Sequence, residues 1–350
     1  MRTYRFILTG LGNIGRNFLA MILSREALLA KRYGLALQLV GAADSSGAIY
    51  EPEGLDIRAV VAQKQARRPI AELAGQWQGD ALALAEQAEV ELLLEATPTN
   101  LVDGQPGLDI VRMALGRGIH SVLASKGPLV LAYQELAGLS DLTRASAPAL
   151  RFSGAVGGGL PSINLGRRDL AGAHIERVEA VVNGTTQLIL WLMSQGQSYE
   201  AALAEAQQIG IAEPDPALDV DGWDAANKLV IIANAVLGYP ASLADVAVTG
   251  IRGVSPTELL AARASGGRMS LVAVAEIDPG EASPEDRPVY RLSVRPIALP
   301  AEHPLAHLQS DEMGIVYHSD IYGRTVATTW EEGPLGTAAA MLRDIIDIVS

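Results

Sequence analysis

The sequence predicts an α/β protein of two domains, a doubly wound parallel sheet followed by a second, α+β domain. Three observations carry this. The strand-like run Tyr4-Arg5-Phe6-Ile7-Leu8-Thr9 enters the glycine turn Gly10-Leu11-Gly12-Asn13-Ile14-Gly15, after which Phe18, Leu19, Ile22 and Leu23 recur at helical spacing. Short apolar runs then alternate with helical patterns, the rhythm of a parallel sheet. From roughly Arg151 the pattern changes, and Glu213, Asp215, Asp219, Asp224 and Lys228 fall within sixteen residues.

Strand, glycine turn and helix together form a Rossmann-type nucleotide motif. Gly10 permits the tight turn, Gly12 lets a pyrophosphate approach the backbone, and Gly15 lets the helix pack close. Asn13 and Ile14 open that helix, where N–H groups and positive partial charge face phosphates. The helix runs through Tyr33, and residues 37–43 read as a second buried strand ending at Asp44. A carboxylate there bonds ribose hydroxyls and repels a 2′-phosphate, and no arginine follows in Ser45-Ser46-Gly47. The cofactor is therefore NAD or NADP, with NAD favoured.

Further strands are expected at residues 90–96 and 120–124, with a helix at 108–117 between them. Ligands of such sheets sit beyond the carboxyl ends of the strands. Two polar segments occur there, one with Thr97 and Pro98, the other with Ser125 and Lys126, and both should border the nicotinamide. Residues 1–150 are thus assigned to a dinucleotide-binding domain.

Lysine is scarce. The chain has Lys31, Lys64, Lys126 and Lys228 among 27 basic residues, so arginine serves almost everywhere else. An ammonium can exchange a proton, whereas guanidinium stays charged. Lys126 and Lys228 are accordingly candidates for proton chemistry, weighed against a strand-end cap for the first and a surface helix position for the second.

Residues 151–314 are assigned to the substrate-binding, catalytic and dimerisation domain. The bend Ala155-Val156-Gly157-Gly158-Gly159-Leu160-Pro161 exposes carbonyls that could cradle a cation or simply cross between domains. A strand at 175–182 leads into Asn183-Gly184-Thr185-Thr186, where Gly184 and Thr185 open a helix whose amides suit an amino-acid carboxylate; a Thr cap is the other use. Glu213 and Asp219 lie on a Pro-punctuated loop suited to a substrate ammonium. Asp224 and Lys228 fall one helical turn apart, so Asp224 orients Lys228. Strands at 270–276 and 289–297 complete an antiparallel-rich sheet that could pair subunits, and residues 278–288 read as an exposed loop. His303 and His307 lack an evident third ligand for zinc.

Composition narrows the classes. At 350 residues, 49% hydrophobic and 19% charged, the chain is long enough for two cores. A net charge of −13 argues against a nucleic-acid partner. The absence of cysteine removes disulfides, thiolate metal sites and a thioester route. With neither a signal pattern nor a bilayer-length apolar run, a cytoplasmic protein without membrane association is expected.

The chain resembles the homoserine dehydrogenases. The likeness rests on Asn183-Gly184-Thr185, on residues 204–207 leading into Gly210, on Ala212-Glu213-x-Asp215-Pro216-x-x-Asp219-Val220-x-Gly222-x-Asp224-Ala225-Ala226-x-Lys228, on the glycine turn and on Lys126. It spans essentially the entire chain. The resemblance implies NAD(P)H-dependent interconversion of L-aspartate 4-semialdehyde and L-homoserine, serving threonine, methionine and isoleucine biosynthesis. It implies Glu213 and Asp219 on the substrate amino group, Lys228 as proton donor with Asp224 beside it, and Lys126 between nicotinamide and substrate.

The resemblance also implies a homodimer and a C-terminal segment, about 315–350, that rejoins the first domain and brings Gly333 near the cofactor. It implies a monovalent cation such as Na+ on the carbonyls of Val156, Gly158 and Leu160, with a glutamate whose place Ser153 takes here. Ile211 stands where tyrosine is common, and Ser125 where asparagine is common. Length leaves no room for the ligand-sensing domain of longer relatives, so neither threonine inhibition nor a fused kinase is expected. Two alternatives stand beside this: a dehydrogenase of another amino-acid aldehyde, and a non-catalytic NAD(P)-sensing protein. The second leaves the Asp224–Lys228 pair unexplained.

Overall fold

The computed structural model describes residues 1–73, 77, 79–140, 147–282, 288–330 and 333–349. The chain divides into two compact units, Met1–Gly159 with Gly333–Ser350, and Leu160–Glu332.

The first unit begins with β1 (Arg2–Thr9), α1 (Asn13–Tyr33), β2 (Leu35–Asp44), β3 (Gly47–Tyr50), α2 (Ile57–Gln65) and α3 (Ala81–Gln87). It continues with β4 (Leu92–Glu95), α4 (Gly107–Gly116), β5 (His120–Leu123), α5 (Gly127–Leu139) and β6 (Leu150–Arg151). The strands lie in the order β3-β2-β1-β4-β5-β6. All neighbours are parallel except β3, a short hairpin partner of β2 that the sequence reading did not anticipate. Buried on both faces, β4 shows the continuous apolar run of a central parallel strand, not alternation. α1 ends at Gly34, whose φ of +62° lets its N–H turn back to Ala30 O at 3.1 Å.

The second unit holds α6 (Ser162–Asn164), β7 (Ile175–Val181), α7 (Gly184–Ser194), α8 (Tyr199–Gln208), α9 (Ala217–Val220), α10 (Trp223–Ala235) and β8 (Val246–Val248). After these come α11 (Pro256–Ala264), β9 (Arg268–Ala282), β10 (Pro288–Leu299), β11 (Glu312–Ser319) and β12 (Gly323–Trp330). Its sheet runs β12-β11-β7-β9-β10-β8, antiparallel except between β10 and β8. α7, α10 and α11 pack on β9. α10 is buried nearly all round through Leu229, Val230, Ile231 and Ile232, which fixes the direction of the polar residues in its first turns. The chain closes with α12 (Leu335–Val349), whose Met341 and Ile345 join Phe6, Phe18 and Leu94 in the core of the first unit.

Two expectations are corrected. The segment rejoining the first unit begins at Gly333, not near 315, because β11 pairs with β7 from Gly314 to Ser319 and β12 pairs with β11. The stretch from Asp278 to Ala282 continues β9 as a strand, with Ala282 opposite Pro288, and residues 283–287 lie outside the described residues. The strands expected at 270–276 and 289–297 are β9 and β10, which pair antiparallel inside a sheet whose edges are β12 and β8.

Among the described residues no helix is long and apolar enough to cross a membrane, and no group of three or more His, Asp or Glu could hold a metal ion. His303 meets Glu179 at 3.3 Å together with His318 at 3.0 Å, an arrangement its spacing from His307 did not suggest.

Candidate active site

The cofactor candidates of the first unit collect at the carboxyl ends of its strands. β1 runs into Gly10, β2 ends at Asp44, Thr97 and Pro98 follow β4, and Lys126 stands at the start of α5 after β5. Gly10 has φ +92°, and a Cβ on it would collide with the Ala96 carbonyl, so the turn lies directly against the segment that carries Thr97. A Cβ on Gly15 would run into the Gly10 carbonyl, so this glycine packs the helix onto the turn itself rather than onto β1. Gly12 is different. No atom lies within 4 Å of where its Cβ would be, and no side chain caps the helix there. Gly12 and Asn13 are exposed and Ile14 half-buried, leaving open backbone at a 21-residue helix N-terminus, as a pyrophosphate requires.

Asp44 is not a bare carboxylate. Lys64 Nζ lies 2.5 Å from Oδ2, and Ser46 donates to Oδ1 from its N–H at 2.8 Å and its hydroxyl at 2.6 Å. Partial burial pushes the Asp44 carboxyl up, but the Lys64 and Ser46 hydrogen bonds outweigh it and hold the pKa below normal. Lys64 thus covers charge on the carboxylate that was expected to repel a 2′-phosphate. Sequence reasoning left Lys64 unassigned, because twenty residues separate it from Asp44.

The β4 and β5 segments are knitted together. Glu95, fully buried, accepts the Thr97 N–H at 2.8 Å and is bonded by the hydroxyls of Thr97 and Ser125. The Lys126 N–H donates to Thr99 Oγ1 at 3.4 Å. Gly333, exposed with φ +62°, precedes α12 in this same unit.

In the second unit the polar residues are gathered by Asn183, which the sequence reading noted without giving it a role. Its Oδ1 accepts the Thr186 N–H at 2.9 Å and so caps α7, the use weighed as an alternative for the Thr pair. That fixes the amide orientation. Nδ2 then donates to Asp219 Oδ1 at 2.6 Å and to Asp224 Oδ2 at 2.8 Å. Lys228 Nζ lies 2.7 Å from Asp224 Oδ2 and donates to Val182 O at 2.5 Å. The Lys228 and Asp224 side chains are only 12% and 15% exposed, which separates them from the ordinary surface pair of a solvated helix. Gly222, with φ +89°, makes the sharp entry to α10 that delivers both.

The remaining candidates are arranged around this chain of contacts. Gly184 is exposed at the N-terminus of α7, and Thr185 donates to Ile211 O at 3.3 Å. Glu213 is exposed, and its backbone carbonyl accepts from Gln207 at 3.1 Å; it is not part of the contacts centred on Asn183. Asp221 pairs outward with Arg252 at 2.5 Å. What results is an ammonium held by one carboxylate and one carbonyl, with a second carboxylate alongside. Such a group can give or take a proton at a substrate oxygen.

The bend at residues 155–161 does not fit a monovalent cation. Val156 and Gly158 belong to the first unit, while Leu160 begins the second. Ser153 donates its N–H at 2.7 Å and its hydroxyl at 2.6 Å to the two oxygens of Asp344, so both oxygens of that buried carboxylate are engaged. Arg343 donates to Gly159 O at 3.4 Å and brings a fixed positive charge to the bend. A cation would meet repulsion there and lacks the anionic ligand at position 153.

Comparison with known proteins agrees with this geometry. Residues 161–346 match the family model described as homoserine dehydrogenase, and residues 1–105 match that of the glutamate/leucine/phenylalanine/valine dehydrogenases. The chain is 33% identical to an NAD(+)-dependent homoserine dehydrogenase of Pseudomonas canavaninivorans, covering 99% of this chain and 97% of the relative. It is 31% identical to a homoserine dehydrogenase of Methanocaldococcus jannaschii, over 98% and 97%. A hyperthermophilic archaeal homoserine dehydrogenase solved with NADPH superposes with a TM-score of 0.81 at 25% identity, over 99% and 97%. With the match spanning both units, this chain belongs to the homoserine dehydrogenase family.

Proposed function

We propose that this enzyme interconverts L-aspartate 4-semialdehyde and L-homoserine with NAD(P)(H), and that Lys228 is its proton donor and acceptor. The observation that carries the catalytic part is the Lys228–Asp224–Asn183–Asp219 chain of contacts, withdrawn from water at the head of a buried helix. Asp224 and Val182 O take two of the three ammonium N–H groups. The third is the one for a substrate oxygen.

The nucleotide is held by Gly10, Gly12, Asn13, Ile14 and Gly15 at its pyrophosphate, by Asp44 at the ribose, and by Thr97, Pro98 and Lys126 toward the nicotinamide, with Gly333 as a further neighbour. When bound there, the nicotinamide supplies a hydride to the aldehyde carbon or accepts one from the alcohol. Lys228 neutralises the alkoxide of the reduction by giving it a proton from Nζ, and takes that proton back in the oxidation. Asp219 and Glu213 hold the substrate ammonium, Gly184 and Thr185 its carboxylate through the N-terminus of α7. Lys126 adds a second positive charge for the developing oxyanion.

The working form is a homodimer, with the second unit as its interface. Steady-state rates test the substrate. L-Aspartate 4-semialdehyde should be reduced with kcat/KM at least about a hundredfold above that of the same aldehyde without its amino group, since the carboxylates would then have no ammonium to bind. Equal rates for the two would reject the substrate reading.

A further inference from the structure

Glu95 ends the buried strand β4, where an apolar side chain would complete the run Leu92-Leu93-Leu94. Burying an acid there is costly unless its oxygens are bonded. Burial pushes its carboxyl pKa up, against hydrogen bonds from Ser125 and Thr97 that pull it down. Oε1 accepts the Thr97 N–H at 2.8 Å and bonds the Thr97 hydroxyl, while Oε2 bonds the Ser125 hydroxyl. Gly107 leaves room for this arrangement, since a Cβ there would stand 3.1 Å from Oε1 and 3.2 Å from Thr97 Oγ1.

Because Oε1 already accepts an N–H, it takes the Thr97 hydroxyl proton as well, whichever charge state Oε2 adopts. A hydroxyl has one donor and two acceptor positions. With its proton committed to Glu95, the half-buried Thr97 hydroxyl keeps its acceptor lone pairs for another donor. Ser125 anchors the second oxygen and keeps the start of α5 in place beside it.

We propose that Glu95 is a positioning residue that turns the Thr97 hydroxyl into an acceptor for the carboxamide NH2 of the nicotinamide. This rests on reading the first unit as the nicotinamide-nucleotide site. Gly12 and Asp44 serve the pyrophosphate and the adenosine ribose, so a change at Glu95 affects the nicotinamide end alone.

Calorimetric titration of wild type and Glu95→Leu with NAD+, 3-acetylpyridine adenine dinucleotide and ADP-ribose tests it. The acetylpyridine analogue keeps the ring carbonyl but has no NH2. Wild type should prefer NAD+ to the analogue by about tenfold, the size of one directed hydrogen bond. Glu95→Leu, which removes both acceptor oxygens, should lose that preference while ADP-ribose binds as to wild type. Equal preference in both proteins overturns the proposal, and so does matching weakening of ADP-ribose, which would mark a structural role. Should Glu95→Leu not fold, Thr97→Val removes the hydroxyl alone and must also lose the preference; its persistence overturns the proposal. A wild type that binds none of the three nucleotides overturns the nucleotide reading itself, and this inference with it.

Discussion

The importance of Asn183 and of Lys64 emerges only in three dimensions. Asn183 caps α7 with its carbonyl oxygen and spends both amide hydrogens on Asp219 and Asp224, so one side chain sets the helix start and the carboxylate positions. Lys64 covers Asp44 across a turn of chain that places no sequence signal between them. Removing that ammonium should expose the carboxylate to a 2′-phosphate. Lys64→Ala is expected to shift the NADP+ to NAD+ dissociation-constant ratio toward NAD+ by about tenfold, since like charges at close range disfavour binding by amounts of that order. An unchanged ratio in direct titrations would show that Lys64 does not set cofactor choice. Lys126, Asp224 and Lys228 were legible as single letters, because a scarce residue type stood at strand ends and at i,i+4 spacing. Glu95 was not, because an acid closing an apolar run looks like the first residue of a loop until its bonds to Thr97 and Ser125 are seen.

At the level of elements, the glycine turn, α1 and the parallel strands were readable because local chemistry agrees with tertiary placement: glycine where φ is positive, apolar runs where both faces are covered. β3 and the ends of β9 were missed, since four residues carry little periodicity and a hairpin arm with Pro and Gly reads as a turn. The junction of α12 with the segment after β6 was also hidden, because Asp344 and Ser153 are 191 residues apart. Burial raises the Asp344 pKa from 3.8 to about 6, against the pull of Ser153 and the nearby arginines. The folded protein thus holds that proton more tightly than the unfolded chain does. The contribution of this group to stability is full below about 3.8 and falls as pH rises through about 6, by about 3 kcal/mol. Denaturant unfolding of wild type and Asp344→Asn at pH 4 and pH 7.5 should show the wild-type advantage shrinking at the higher pH. An advantage that is constant or grows would contradict an acid held protonated by burial.

Across the whole molecule, the division of labour follows the division of the chain. The first unit carries an open helix N-terminus, the Lys64-covered carboxylate of Asp44 and the Glu95-centred segments; the second carries the ammonium and its carboxylates. Two domains were evident from the change of pattern near Arg151, but not the crossing points at 159 and 333, since the last two strands belong to the second sheet through pairings made with β7. If hydride transfer is served by one unit and proton transfer by the other, the two can be separated by substitution. Lys228→Ala should bind NADH as wild type does, yet reduce L-aspartate 4-semialdehyde in a single turnover at least about a hundredfold more slowly, the usual scale of general acid catalysis. Stopped-flow decay of NADH absorbance on the preformed enzyme–NADH complex measures this directly. A rate equal to wild type, with NADH binding intact, would contradict Lys228 as the proton donor.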